Sequence, residues 1–391
     1  MSRRRSPSQA KSTFQAAVAE PNHDPAWNDS RWRSRLRRRL LDWYEEHART
    51  MPWRSDPTPY HVWVSEIMCQ QTQVATVIPY FQRFVAAYPD VATLAAADEQ
   101  QLMRLWEGLG YYRRARSLHA AAKQIVDRHD GVFPDNFDDV LALPGIGRYT
   151  AGAILSISGD ARLPILEGNT QRVFSRWLNL QSPPTEKLAN ALLWQFAETM
   201  LPPRGSGTFN QAAMELGALV CAPKKPRCDD CPVRSYCASH RENTQDQVPG
   251  KVTKTQYVER TEFAFVIQDH HQHLLLRRLP EGGRWAGLWD FPRTAEIDVE
   301  SVNSAGAWLS ESLGRNVDIL PRVTTFKHAV TKYRITLHVH HAILRGRNQA
   351  LPKDWQFFGD DQLDALPLNV TGRKIADHLQ SDRQSLFALD I

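Results

Sequence analysis

Apolar residues at helical spacing run through most of the chain and give way to strand-like alternation towards its end. From Trp32 the positions Leu36, Leu40 and Tyr44, with Leu41 beside them, mark a first helix. It must stop before Met51-Pro52, because a residue preceding proline disfavours helical backbone. In the next segment Val62, Val64, Ile67, Met68 and Val74 can pack inward, which leaves Glu66, Gln70, Gln71 and Gln73 as one polar cluster on a buried-looking helix. The cluster reads either as a solvated glutamine face or as polar groups with a task. From Thr76 to about Arg128 the pattern is mostly helical, with Val77, Phe81, Phe84 and Val85, then Leu102, Leu105 and Trp106. Gly108-Leu109-Gly110-Tyr111-Tyr112 interrupts it with a tight turn whose tyrosines serve either as core or as a wedge for stacked bases.

Leu143-Pro144-Gly145-Ile146-Gly147 cannot continue a helix, and its glycines allow a sharp hairpin. From Arg148 the positions Tyr149, Ala153, Ile154 and Ile157 share a helix face. The hairpin, with Gly145, Gly147 and Arg148, therefore presents the free N–H groups of a helix start, which suit an anion such as a DNA phosphate. After a short connection Pro164-Ile165-Leu166-Glu167-Gly168-Asn169 brings a carboxylate to the start of the next helix, close to the hairpin. Helices over 173–180, 188–201 and from Phe209 to Cys221 complete this part. The texture then changes. Phe263–Ile267 and His273–Arg278 read as strands around a polar turn, and Ile335, Leu337 and Val339 alternate with Thr336, His338 and His340. Ser301 to Leu313 is a helix between them, so the second region is α/β.

The chain of 391 residues, 42% apolar, has room for more than one core. The expected organisation is a disordered basic tail over 1–30, a helical region over 31–240, a linker over 241–257 and an α/β domain over 258–391. No stretch approaches a membrane span and no apolar signal core opens the chain, which points to a cytoplasmic protein. The first 40 residues hold ten Lys/Arg against three Asp/Glu, a balance that suits a polyanionic partner. Cys221, Cys228, Cys231 and Cys237 are four of five cysteines, and they fall within 17 residues, so they form one local site; Cys69 reads as a buried thiol. Four thiolates suit tetrahedral zinc or an iron–sulfur cubane, and spacing alone leaves both open.

These residues carry a resemblance. PWR at 52–54, VWVSEIMCQQTQVATVIPYF at 62–81, GLGYYRRAR at 108–116, the hairpin, Gly168-Asn169, FNQAAMELGALVC at 209–221, the cysteine spacing and RWAGLWDFP at 284–292 together resemble the MutY family of adenine DNA glycosylases. That family belongs to the helix-hairpin-helix superfamily that includes endonuclease III. The resemblance implies an all-α helix-hairpin-helix catalytic region with an iron–sulfur loop at 221–237, followed by an α/β MutT-like domain. It further implies one [4Fe-4S] cluster on the four cysteines, and a monomer that removes adenine opposite 8-oxoguanine or guanine from double-stranded DNA.

Residue by residue, the resemblance makes Glu66 the acid that protonates the leaving adenine at N7. Glu167 is the carboxylate that stabilises or traps the sugar cation, although the family usually carries aspartate there. Breaking an N-glycosidic bond needs this pair. Tyr149 stands where strand-cleaving relatives carry the lysine that forms a Schiff base, so the enzyme is expected to be monofunctional, with Tyr149 and Asn169 hydrogen-bonding the Glu167 carboxylate or the sugar. Arg49, Trp53, Arg54 and Gln211 are expected to line the adenine pocket, and Gln71 and Tyr111 to occupy the gap and the stack. The loop Phe326-Lys327-His328 matches the family's Phe-Ser-His reader of 8-oxoguanine except at Lys327. The helix from Ser301 to Leu313 offers only Glu311 where Mg²⁺-dependent hydrolysis needs several carboxylates, so this domain is expected to recognise and not to hydrolyse.

Overall fold

The structure is a computed structural model that describes residues 25–251, 256–346 and 350–387. Helices lead the chain: α1 (Ser30–His47), α2 (Pro59–Cys69), α3 (Val74–Ala87), α4 (Glu99–Trp106), α5 (Arg113–His129), α6 (Arg148–Gly159), α7 (Gly168–Leu178), α8 (Lys187–Met200) and α9 (Ser206–Leu219). Strands β1 (Val258–Ile267), β2 (Leu274–Arg278) and β3 (Trp289–Asp290) follow, then α10 (Val302–Leu313), β4 (Val317–Val330), β5 (Tyr333–Leu344), β6 (Trp355–Phe358) and α11 (Val370–Phe387). Two compact units result, one of residues up to 95 and 120–253, the other of 96–119 and 254–391. Among the described residues no helix is long and apolar enough to cross a membrane.

In the first unit each helix that bears on the site has a local cause. Asp29 caps α1 by accepting Arg31 N–H at 2.8 Å, and Thr58 caps α2 with Pro59 at its first position. The last two turns of α2 are buried on every side, from Val62 to Met68, so α2 is the central rod, and α6 packs against it and against α9. Two glycines permit the closest approaches. A Cβ on Gly152 of α6 would meet the Pro164 carbonyl oxygen at 2.6 Å, and one on Gly217 of α9 would meet Asn169 Cβ at 2.6 Å. Side chains at these positions would push the turn at 164–169 away from α6 and α9.

Three expectations for this unit need correction. The glutamine cluster is not on a helix: α2 ends at Cys69, Gln71 takes φ +56°, and Gln70 to Gln73 form the turn into α3, where Val74 is half-buried. Of the expected tail, residues 1–24 lie outside the described residues, but Pro25–Asn28 form a 3₁₀ turn that buries Trp27 edge-on against Phe196 at 5.5 Å. The anchoring aromatic outweighs the polar composition around it. Of the expected linker, 252–255 lie outside the described residues, whereas 241–251 pack back. Arg176 Nε donates to the Val248 carbonyl at 3.0 Å and Thr244 Oγ1 to Asn179 Oδ1 at 2.6 Å.

The second unit holds two three-stranded sheets, in the orders β1-β5-β4 and β3-β2-β6. β1 runs parallel to β5 and β4 antiparallel to it, so the sheet is mixed, and the two strands read as neighbours around a polar turn go to different sheets. Ile335, Leu337 and Val339 do point into one core, with Val266, Leu276 and Phe291. Residues 96–119 read as part of the helical region, yet they group with this unit. Arg373 Nε donates to Glu107 Oε1 at 2.7 Å, and Tyr112 hydroxyl donates to the Leu368 carbonyl at 3.3 Å.

Candidate active site

Five segments of the first unit converge on one cavity of about 730 Å³: the stretch 49–54, the end of α2 and its glutamine turn, the start of α6, the turn into α7, and one face of α9. Of the residues singled out in the sequence, Arg49, Trp53, Arg54, Glu66, Gln71, Tyr149, Glu167, Asn169 and Gln211 all line it. The size and the mix of aromatic, amide and carboxylate groups suit a planar heterocycle.

Glu66 sits on α2 with 9% of its surface exposed. Burial pushes its carboxyl up to about 7, against the Tyr149 hydrogen bond, which lowers it, and with the Glu167 charge, which raises it. Tyr149 was expected to hydrogen-bond Glu167 or the sugar. Instead its hydroxyl donates to Glu66 Oε2 at 2.5 Å, because α6 packs directly on α2 and turns its first face to that helix. Burial drives the Tyr149 phenol well above its usual value, so it remains a neutral donor.

Glu167 is the N-cap of α7. Its Oε2 accepts the Asn169 N–H at 2.8 Å and Asn169 Nδ2 at 3.3 Å, its Oε1 accepts the Thr170 N–H at 2.9 Å, and its own N–H donates to Thr170 Oγ1 at 2.8 Å. The expected Asn169 contact is therefore present. Burial raises the Glu167 carboxyl, and the Asn169 and Thr170 donors oppose that rise.

Glu215 was not singled out, and it organises one wall of the cavity. Arg49 Nε and Nη2 donate to its two oxygens at 2.7 and 2.9 Å, and Arg54 Nη2 to Oε2 at 2.9 Å. Although burial raises it, these donors hold the carboxyl down at about 2. The signal was available in the sequence: Glu215 lies four residues after Gln211 on one helix, hence on the same face. Cys69, expected in the core, is half-buried and lines the cavity.

Gly145 takes φ +79° in the hairpin, Gly147 caps α6 in extended backbone, and Arg148 is the first, exposed residue of that helix. In the other unit Tyr111 is 51% exposed at φ +48°, with the Arg114 guanidinium 5.5 Å from its ring.

The four clustered cysteines are free thiols on a loop with two short 3₁₀ turns. Burial pushes Cys231 up to about 12 and Cys237 to about 11, and Cys221 adds to the rise at both and at Cys228. Among the described residues no three Cys, His, Asp or Glu side chains gather closely enough to hold a single ion. α7 serves both sites. Arg176 Nη1 donates to Cys221 Sγ at 3.2 Å, while Arg172 donates through Nε to the Cys221 carbonyl at 2.7 Å and through Nη2 to Asn169 Oδ1 at 2.8 Å.

Phe326, Lys327 and His328 are not in a loop. They lie inside β4, opposite Leu337, Thr336 and Ile335, so Phe326 and His328 are half-buried and Lys327 points to solvent. The alternation Phe326, His328, Val330 is the strand signal that was overlooked. His328 Nε2 lies 3.2 Å from Arg293 Nη2, and burial with that cation lowers the imidazole to about 4. Glu311 is the only carboxylate of α10 and it is exposed.

Comparison with known proteins fits this geometry. Residues 64–199 match the model of the HhH-GPD superfamily base excision DNA repair protein, and residues 263–378 that of the NUDIX domain. The adenine DNA glycosylase of Buchnera aphidicola subsp. Schizaphis graminum is 36% identical over 302 residues, which cover 77% of this chain and 84% of that protein. The adenine DNA glycosylase of Homo sapiens is 38% identical over 70% of this chain and 52% of its own. A thermostable thymine-DNA glycosylase of known structure shares the fold, with a TM-score of 0.50 and 24% identity over 56% of this chain and 100% of that one.

Proposed function

Since the chain belongs to the adenine DNA glycosylase family of base-excision repair enzymes, we propose that it hydrolyses the N-glycosidic bond of adenine mispaired with 8-oxoguanine or guanine in duplex DNA. The observation that carries this reading is the pair of carboxyl groups in one cavity, of which Glu66 is pushed to about 7. A carboxylic acid half-protonated near neutral pH is matched to a proton transfer in the working range.

The chemistry follows from the hydrogen bonds. Tyr149 occupies Glu66 Oε2, which leaves Oε1 to carry the proton. That proton passes to adenine N7 as the bond from C1′ to N9 breaks, so the base leaves neutral and the sugar becomes an oxocarbenium ion. Glu167, fixed by three N–H donors, faces this cation as carboxylate and stabilises or traps it. Water then adds at C1′, and its proton returns to Glu66. Because Tyr149 is a buried neutral phenol where a nucleophilic amine is needed for strand cleavage, the enzyme is monofunctional.

The target base must leave the duplex stack, and the resemblance gives Gln71 the gap and Tyr111 the stack, while Arg49, Trp53, Arg54, Glu215 and Gln211 serve as walls for adenine in the cavity they line. The α6 N-terminus with Gly145, Gly147 and Arg148 binds a phosphate. Cys221, Cys228, Cys231 and Cys237 hold one [4Fe-4S] cluster. Four thiolates suit zinc as well as a cubane, and the family to which the chain belongs supports the cluster. When bound, the cluster supplies four thiolate bonds that close the loop, and the raised thiols must lose their protons to make them. The NUDIX domain, without a cluster of carboxylates on α10, reads 8-oxoguanine through Phe326, Lys327 and His328 of β4. The protein acts as a cytoplasmic monomer. The decisive experiment is single-turnover incubation with a duplex carrying adenine opposite 8-oxoguanine: an alkali-labile abasic site is expected, and an intact strand overturns the reading.

A further inference from the structure

Arg148 opens α6 at the hairpin, and its guanidinium carbon lies 3.9 Å from the centroid of the Trp194 ring. That is the shortest of the cation–π distances among the described residues. The Arg148 side chain is exposed and makes no ion pair or hydrogen bond among the described residues, so its guanidinium N–H donors are uncommitted. Trp194, on α8, is half-buried and packs against the core around Phe174 and Phe196. The indole is therefore anchored to the core while its ring carries the cation.

An exposed arginine loses much rotamer freedom when it must meet a phosphate, and a stacked guanidinium has already lost part of it. We propose that Trp194 is a positioning residue for DNA: its ring holds the Arg148 guanidinium beside the α6 N-terminus, ready for the phosphate that the hairpin takes. This rests on the reading of the hairpin as a phosphate site. The stack leaves the donors at the guanidinium edge free, because a ring face uses none of them.

A double-mutant cycle tests it on the full-length protein, with a labelled duplex that carries a tetrahydrofuran abasic analogue opposite 8-oxoguanine and binding followed by anisotropy over a salt series. Arg148→Ala is expected to weaken binding and to reduce the slope of log affinity against log salt by about one. Trp194→Leu, which keeps apolar bulk without a ring face, is expected to weaken binding about two- to five-fold with the slope unchanged, and Trp194→Phe to retain most of the affinity. In the Arg148→Ala background Trp194→Leu is expected to cost nothing further. An equal cost of Trp194→Leu with and without Arg148, or no cost in wild type, overturns the positioning role while leaving the hairpin reading intact. Unchanged affinity and slope in Arg148→Ala remove the hairpin reading and the proposal together. Thermal unfolding of Trp194→Leu and Trp194→Phe separates loss of fold from loss of positioning.

Discussion

Replacing Tyr149 by Phe removes one hydroxyl and leaves the ring, so it isolates the bond to Glu66 Oε2. Two effects follow. The bond favours the Glu66 carboxylate, so its loss moves the carboxyl further above its present value of about 7. A hydrogen bond to a charged group contributes about 1.5–3 kcal/mol. At about 1.4 kcal/mol per pH unit, the shift is about one to two units upward. Excision needs the protonated acid, so in wild type the single-turnover rate should fall as pH rises through about 7. In Tyr149→Phe the falling limb should sit about one to two units higher. The second effect is geometric. A carboxyl no longer held through Oε2 can present its proton off the N7 direction, which should lower the plateau by about ten- to a hundredfold. The assay is the pH profile of single-turnover adenine release for both proteins. A Tyr149→Phe limb that stays near 7 or moves to lower pH refutes the reasoning, since Tyr149 would then not be acting on Glu66.

Other consequences can be measured directly. Glu66→Gln should abolish excision yet stabilise the fold: the folded carboxyl is raised from 4.5 to about 7, so the wild-type protein loses stability as pH rises between those values. The variant should gain up to about 3 kcal/mol at pH 8 and little below pH 4, and chemical denaturation showing no pH-dependent gain would refute the buried acid. Glu167→Gln keeps size but loses charge, so excision should fall at least about a hundredfold while binding to the mispair survives; near-wild-type turnover would move the cation's stabiliser elsewhere. Glu167→Asp should keep α7 capped, since aspartate is a preferred N-cap, with thermal stability nearly unchanged. Elemental analysis should give about four irons with labile sulfide per chain, and stoichiometric zinc would contradict the cluster.

The hydrophobic pattern by itself determined the helices around the hairpin, the strand at 335–339 and the change of texture between the two regions, because period 3.6 and period 2 need only local sequence. It also placed the carboxylate Glu167 at a helix start, where Pro164 and Gly168 bracket a turn. Local sequence did not determine which partner a polar group takes. Tyr149 bonds Glu66 and not Glu167 because α6 packs on α2, two elements far apart in the chain. Glu215 looked like one more helical glutamate until two arginines from the segment 49–54 closed on it. Phe326 to His328 read as a loop although Phe326, His328 and Val330 alternate, because lysine breaks the apolar run and the pairing with β5 that makes the strand is non-local. The acid of Glu66 is the sharpest case. Its residue type was plain in the sequence, but a carboxyl pushed to about 7 is a property of burial, and only packing from five segments supplies that.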